Sequence, residues 1–179
     1  VRSQKFNLGL PLAKILSVFA LLLSGWTWNI SRQALADNGT FSLQINNIAL
    51  MFDGISSLLA VIALLLGLIV VLFSFQYMRG ENGEEKFYAL LIAMTGTMIG
   101  LGCARDLFNL WVWFEAMAIT SYMLVAFYRQ QPSSLEAGVK YLVQNAAGSV
   151  LVLIGIALVF SQTGTLDLIE IRSTVQGQY

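Results

Sequence analysis

Residues 106–128 read DLFNLWVWFEAMAITSYMLVAFY, and one carboxylate, Glu115, lies within this apolar segment. About 20 apolar residues span the hydrocarbon core of a bilayer as a helix, and this segment is long enough to do so. A carboxylate near the bilayer centre costs on the order of 3 kcal/mol on insertion scales, so it normally faces protein or water and serves a proton or ion path. The segment therefore predicts a membrane helix that handles protons or cations at Glu115.

The composition of the whole chain agrees with a membrane protein. Of its 179 residues, 57% are hydrophobic and 11% are charged, whereas a soluble domain carries about 25% charged residues. The formal net charge is zero, so nothing points to a nucleic-acid partner. The chain has no histidine and one cysteine, Cys103. These counts exclude His-ligated metals, Ser-His-Asp catalysis, an internal disulfide and iron–sulfur sites. We therefore expect no catalytic residue, no metal site and no cofactor bound by this chain.

Hydropathy predicts an all-α, polytopic membrane helix bundle of about five transmembrane helices in a single domain over residues 1–179. Helices are expected because the backbone in lipid must satisfy its own hydrogen bonds. The links between the stretches are short and polar, so consecutive helices should be antiparallel. A polar C-terminal tail is expected over residues 163–179. The five predicted helices cover about residues 8–28, 48–78, 87–103, 107–128 and 135–162.

The first stretch has an alternative interpretation as a secretory signal peptide. Arg2 and Lys5 precede the apolar run, and residues 34–36 read ALA, which resembles a signal-peptidase site. Against this, the apolar run is longer than a usual signal core, and Lys14 interrupts it. These features favour a retained helix in which Lys14 snorkels to the membrane interface.

The distribution of positive charges predicts the orientation. With five helices, Arg32, Arg105 and Arg172 fall on one side of the membrane, and the larger set falls on the other. Basic residues accumulate on the cytoplasmic side. We therefore expect an integral membrane protein of a bacterial plasma membrane with a cytoplasmic N-terminus. The larger set comprises Arg2, Lys5, Lys14, Arg79, Lys86, Arg129 and Lys140.

Local signals predict two helix starts and one packing face. Ser133, followed three residues later by Glu136, has the spacing of a capping box. Asp53 lies at the outer membrane interface, near the start of the second apolar stretch, and is predicted to cap the helix that follows it. Gly96 and Gly100 have the Gly-xxx-Gly spacing that lets membrane helices approach closely.

Polar residues in the fourth and fifth stretches form the candidate proton-transfer element. Lys140 and Gln144 are four residues apart with Asn145 beside them, a polar stripe on an otherwise apolar helix. Helical spacing places Tyr122 on the face of Glu115. Because the two helices are joined by a short link, Glu115 and Lys140 are predicted to share an interface at different depths, with Gln144, Asn145 and Tyr122 in support. A nearby lysine favours the ionised glutamate, so movement of the lysine would load or release a proton. A static ion pair that only holds the helices together is the alternative.

A string of motifs over residues 48–168 resembles the proton-conducting membrane transporter family. This family comprises the antiporter-like subunits of respiratory complex I, the NADH:quinone oxidoreductase, and the Mrp-type cation/proton antiporters. The matching motifs are FDGIS at residues 52–56, DLFNLWVWFE at 106–115, SYMLV at 121–125, EAGVKYL at 136–142, GIALVF at 155–160 and TGTLD at 163–167.

The resemblance implies a role for individual residues. Glu115 matches the family's essential glutamate on its fifth helix, and Lys140 matches the lysine of the next helix. In such subunits these groups belong to a central hydrophilic axis that couples quinone reduction or cation exchange to proton movement. The resemblance also implies other membrane subunits as partners, including antiporter-like paralogues. Quinone and NADH are implied only for the larger complex.

The chain departs from the family in its number of helices. Members usually have about fourteen helices, whereas five are predicted here, so we expect an N-terminal fragment of a longer subunit. The resemblance leaves an Mrp-type Na⁺/H⁺ antiporter subunit as an alternative to complex I. A structural membrane subunit with no proton path of its own is a further alternative.

Overall fold

The computed structural model describes residues 14, 15, 17–22, 24–26, 29, 40–45 and 48–176. A two-stranded antiparallel hairpin, β1 (Phe41–Ile45) and β2 (Ile48–Phe52), precedes most of the helices. Among the described residues, α2, α4 and α5 are long and apolar enough to cross a membrane. The helices are α1 (Ser17–Trp26), α2 (Gly54–Tyr77), α3 (Glu84–Gly102), α4 (Leu107–Val125), α5 (Pro132–Thr163) and α6 (Leu168–Gln176).

Helices α2 to α5 pack as a row in which each helix contacts its neighbour in sequence. The short links between them make consecutive helices antiparallel. Helix α3 lies between α2 and α4 and has 19 residues, enough to cross the core with them. The predicted all-α membrane helix bundle is confirmed.

The first predicted helix, residues 8–28, is helical at the positions that the structure describes. Within it, Leu21 is buried against Val71 of α2 and Tyr88 of α3. The residues that raised the signal-peptide alternative, Arg2, Lys5 and 34–36, lie outside the described residues.

The predicted helix over residues 48–78 is wrong at its start, because residues 48–52 form β2. The backbone N–H of Met51 also donates to the carbonyl of Cys103, 2.8 Å away, which ties the hairpin to the end of α3. A short apolar run does not by itself distinguish a strand from a helix. The hydrogen-bonded pairing of residues 48–52 with β1 determines that they form a strand.

Asp53 begins α2, as predicted. Its Oδ1 accepts a hydrogen bond from the Ser56 N–H at 2.8 Å and from the Ser56 hydroxyl at 2.7 Å. The Asp53 N–H donates back to the Ser56 hydroxyl, so the two residues form a capping box. The hydrogen bond from the Ser56 N–H is the main reason that the pKa of Asp53 is lowered.

The capping box predicted at Ser133 and Glu136 is wrong. Helix α5 begins at Pro132 after an N-cap at Gln131, and no side chain caps it. Proline has a fixed φ and no N–H, which suits the first helical position. The helix therefore starts before Ser133, and the Glu136 side chain is free to pair elsewhere.

The segment predicted as a polar tail, residues 163–179, contains α6. Arg105 Nε donates to Asp167 Oδ2 at 2.7 Å, which joins the α3–α4 link to the α5–α6 link. Two backbone bonds reinforce this contact: the Leu107 N–H donates to the Leu166 carbonyl, and the Leu168 N–H donates to the Arg105 carbonyl. With the hairpin, these links form a non-helical layer at one end of the bundle.

Small residues set the spacing between the helices. A Cβ added at Gly67 of α2 would lie 2.8 Å from the Thr95 hydroxyl of α3. A Cβ added at Gly100 of α3 would lie 2.5 Å from the Trp113 ring of α4. Gly100 therefore lies on the predicted packing face, but nothing lies within 4 Å of a Cβ at Gly96. Close approach at Gly100 places α4, with its carboxylate, tightly against α3.

Candidate functional site

Glu115 lies near the middle of α4. The helix starts at Leu107, because the Asp106 side chain accepts a hydrogen bond from the Asn109 N–H at 2.7 Å as the N-cap. It ends at Val125, three residues before the predicted end at Tyr128. At 1.5 Å per residue, Glu115 is about 12 Å from the start of the helix and about 15 Å from its end. Glu115 therefore lies near the middle of a helix that is long and apolar enough to cross a membrane.

One carboxylate oxygen of Glu115 is buried without a hydrogen bond. Its Oε1 is inaccessible to solvent and has no donor among the described residues, although the side chain as a whole is only half-buried. Leaving a buried polar atom unpaired costs about 1–3 kcal/mol, and more for a charged group. Native proteins accept few such atoms, and each calls for an explanation such as a catalytic role.

Two contacts show which face of α4 carries Glu115. Trp111 Nε1 donates to the Ser149 hydroxyl of α5 at 2.8 Å. Near the other end of α4, Ala126 lies so close to Gly138 of α5 that a Cβ on that glycine would approach its Cβ to 2.6 Å. Glu115 follows Trp111 by four residues, one helical turn, and so lies on the same face. Glu115 therefore faces α5.

The same contacts fix the level of α5 that lies opposite Glu115. Because the helices are antiparallel and Trp111 pairs with Ser149 while Ala126 pairs with Gly138, Glu115 is level with roughly residue 145 or 146 of α5. Asn145 is half-buried and follows Gly138 by seven residues, so it lies on the face toward α4. Asn145 is therefore the predicted supporting residue that α5 directs toward Glu115.

Tyr122 also lies on the Glu115 face, seven residues further along α4, and is half-buried. Between them, Ala118 is buried at 3% exposure. The structure thus places Tyr122 on the face where the spacing predicts it, two turns from the carboxylate.

Lys140 does not contact Glu115. Its Nζ lies 2.6 Å from Glu136 Oε1, one turn earlier on α5, and the two side chains are 72% and 65% exposed. Lys140 follows Gly138 by two residues, or about 200° around the helix, and so points away from α4. Gln144 is exposed one turn further on. Glu136, Lys140 and Gln144 form an outer polar stripe on α5, and a direct Glu115–Lys140 pair is not formed within the described chain.

The sequence interpretation missed an ion pair that is buried within the bundle. The Lys14 ammonium forms an ion pair with Glu84, which opens α3 and is 2% exposed. Lys14 therefore pairs within the bundle, whereas the sequence predicted a lysine that snorkels freely. The two residues are far apart in the sequence and have no shared motif, so only the packing of α1 against α3 brings them together.

Two protein-family models match the parts of the chain that carry these helices and the hairpin. A family described as "NADH:quinone oxidoreductase/Mrp antiporter, TM" matches residues 104–179, and one described as "NADH-Ubiquinone oxidoreductase (complex I), chain 5 N-terminus" matches residues 39–88. The first match covers α4 and α5, which carry Glu115 and Lys140. The second covers the hairpin, α2 and the start of α3.

Individual relatives come from both branches of this family. The chain is 37% identical over 169 residues to NADH-quinone oxidoreductase subunit N of Acidithiobacillus ferrooxidans, covering 90% of this chain and 32% of the relative. It is 31% identical over 144 residues to an Na(+)/H(+) antiporter subunit of Alkalihalophilus pseudofirmus, covering 77% of this chain and 29% of the relative. The chain thus spans about a third or less of these relatives.

A solved structure supports the fold. A chain of the membrane-bound sulfane sulfur reductase, an archaeal respiratory membrane complex, superimposes with a TM-score of 0.77 at 24% identity. The match covers 92% of this chain and 34% of that one. From the motifs in order, the two family matches and the helix bundle, the chain belongs to the family of antiporter-like membrane subunits found in complex I and the Mrp antiporters.

Proposed function

We propose that this chain is part of an antiporter-like subunit of a complex I-type NADH:quinone oxidoreductase, a proton translocase, and that Glu115 loads and releases a proton within it. The observation that carries the proposal is the buried, unpaired Oε1 of Glu115, which has no hydrogen-bond donor in the described part of the chain, midway along a membrane helix. An intramembrane carboxylate without a structural partner is the kind of group that proton relays use. Asn145 and Tyr122 are the neighbouring groups proposed to support it.

Lys140 acts on Glu115 through charge and without direct contact. The two residues lie on different sides of α5, so their charges are separated by roughly the 10 Å diameter of a helix. Two unit charges about 10 Å apart interact by up to about 1.7 kcal/mol at an effective dielectric constant of 20. If the Lys140–Glu136 pair opened, the charge of Lys140 would no longer be offset by Glu136. The free energy of ionising Glu115 would then change. A polar stripe on a membrane helix faces protein or water, so further helices of the subunit are the expected neighbours of Lys140.

The orientation follows from charge placement. Lys86 and Arg129 line one open groove between the α2–α3 turn and the α4–α5 link, whereas Arg105 lies at the opposite end of the bundle with Asp167. We propose that the groove end is cytoplasmic, with the N-terminus on the same side of a bacterial plasma membrane. Relatives of this chain are subunits of multisubunit complexes, and antiporter-like paralogues are the proposed partners. NADH and quinone would bind elsewhere in the complex.

The test is Glu115→Gln in the assembled complex within native membranes. We expect proton translocation per assembled complex to fall by at least about tenfold, because a positioned proton-transfer group contributes that much or more. Glu85→Gln is the matched control, since Glu85 is exposed at the start of α3. Translocation at the control rate in Glu115→Gln would refute the proposal and leave the alternative of a purely structural membrane protein.

An Mrp-type Na⁺/H⁺ antiporter subunit is the second candidate, supported by the similarity to the antiporter protein of Alkalihalophilus pseudofirmus. The proteins that purify with the chain separate the two. A peripheral arm that contains flavin and iron–sulfur clusters indicates complex I, whereas a complex of membrane subunits alone indicates the antiporter.

A further inference from the structure

A second ionisable site lies at the interface of α1, α2 and α3, away from Glu115. Glu84 is 2% exposed although it is the first residue of α3, and the Lys14 side chain that pairs with it is 20% exposed. The Lys14 ammonium also lies 3.5 Å from the Phe75 carbonyl and 5.8 Å from the centre of the Phe75 ring, both on α2. The positive charge is thus held by groups from both α2 and α3.

Tyr88 extends this site one turn deeper into the bundle. It follows Glu84 by four residues, so both side chains lie on one face of α3. Its ring packs edge-on against Phe75 and Phe87, with centroids 6.1 and 5.6 Å apart, and the residue is 1% exposed. Its hydroxyl is buried and has no partner in the part of the chain that the structure describes. Buried tyrosine hydroxyls usually have one.

Stability alone does not account for this arrangement. Removing a carboxylate and an ammonium from water costs several kcal/mol for each ion, and a well-packed apolar pair is often equally stable. Glu84 Oε1 contacts the Lys14 ammonium and is therefore paired, whereas the neighbouring Tyr88 hydroxyl has no partner among the described residues. An ionisable pair buried among membrane helices, next to an unpaired hydroxyl, is the kind of arrangement that proton paths use.

We propose that Glu84, held by Lys14 and backed by Tyr88, is a second proton-binding site of this protein. A proton adds to one carboxylate oxygen of Glu84, and the neutral acid forms while Lys14 keeps its charge. The Tyr88 hydroxyl has no described partner while Glu84 is paired with Lys14, and as both a donor and an acceptor it is the group expected to bond to the neutral acid. The inference rests on the proposed proton-translocating function.

This site is separate from Glu115. Glu84 and Tyr88 face α1 and α2, whereas Glu115 faces α5 on the far side of α4. The other described polar side chains nearby, Ser17 of α1 and Ser74 of α2, donate to carbonyls of their own helices. Glu84 lies at the end of the bundle that carries the α2–α3 turn, where protons from the aqueous phase would enter.

The experiment compares Glu84→Gln with Glu85→Gln in the assembled complex. Carboxylic-acid signals in infrared difference spectra are measured together with proton translocation per complex. We expect Glu84→Gln to remove one carboxylic-acid signal and to slow translocation by at least about tenfold, and Glu85→Gln to change neither. Tyr88→Phe keeps the ring packing and removes only the hydroxyl. It is expected to slow translocation several-fold at normal assembly, and it decides the question if Glu84→Gln does not assemble.

If Glu84→Gln changes neither the spectra nor translocation, the ion pair is static and the inference is overturned. If Glu84→Gln does not assemble, unchanged translocation in Tyr88→Phe overturns the inference instead. Glu115→Gln, measured in parallel, separates the two claims. If Glu115→Gln blocks translocation and Glu84→Gln does not, only the second site is refuted. If Glu115→Gln has no effect, the proposed function itself fails.

Discussion

Gly100→Ala should destabilise the bundle, because the new Cβ would meet the Trp113 ring across the α3–α4 interface. The Cβ would lie 2.5 Å from the nearest ring atom, and ordinary carbon contacts are about 3.5–4.0 Å. The ring or the whole of α4 must therefore retreat by about 1 Å, a gap that loses a quarter to a half of each affected dispersion contact. Overpacking of this kind costs about 1–3 kcal/mol.

Gly96→Ala is the matched control one turn earlier on the same helix. Nothing lies within 4 Å of a Cβ at Gly96, so this substitution brings only the gain in helix propensity, up to about 1 kcal/mol. Both substitutions gain this propensity, so the two variants should differ by the overpacking cost alone, about 1–3 kcal/mol in free energy of unfolding, with Gly100→Ala the less stable.

Thermal unfolding of the purified protein in detergent or nanodiscs measures the difference, with tryptophan fluorescence as the signal. Gly100→Ala should also change the environment of Trp113, whereas Gly96→Ala should not. Equal melting temperatures for the two variants would refute the proposed close approach of α3 and α4.

Two further predictions concern the links around the site. Burial raises the pKa of Asp167, but hydrogen bonds from the N–H groups of Ile169 and Glu170 and from Arg105 outweigh it and lower the pKa below its ordinary value. The stabilisation that this carboxylate contributes is present above its unfolded pKa and is lost as the pH falls through its folded pKa. The protection factors of the α6 amides, which allow for the intrinsic slowing of exchange in acid, should therefore fall below about pH 4, and Asp167→Asn should lower them at neutral pH with little further change on acidification. Trp111→Phe removes the bond to Ser149 and should cost about 1 kcal/mol in free energy of unfolding; a Ser149→Ala variant that shows no loss alongside it would contradict the contact.

Much of the fold could be predicted from local signals. The start of α4 at Leu107 and the cap at Asp53 follow from a polar residue directly before an apolar run. The strand at residues 48–52 could not be predicted, because its apolar run continues into α2 and its pairing partner, residues 41–45, shows no helical or turn signal of its own. Pro132 displaced the predicted cap at Ser133, since two competing start signals lay side by side.

The candidate site was predictable only in part. Glu115 is identified by its cost in lipid, which depends on one residue and its flanking hydropathy. The expected placement of Glu115 and Lys140 at one interface depends on the rotation of α5 about its axis. In the structure Asn145 lies on the face toward α4 and Lys140 lies on the opposite side. Side chains two residues apart on a helix point about 200° apart around its axis. A short link between two helices therefore does not determine which polar residue of α5 faces α4.

The sequence by itself determined that this protein is a membrane helix bundle with a buried glutamate on its fourth apolar stretch, because hydropathy and spacing act over a few turns of one helix. Only the tertiary structure decided the partners of the charged groups. Lys14 meets Glu84, Lys140 meets Glu136, and Arg105 meets Asp167. Two of these pairs join residues far apart in the sequence, so their formation depends on how helices and links meet in space, which no local pattern encodes.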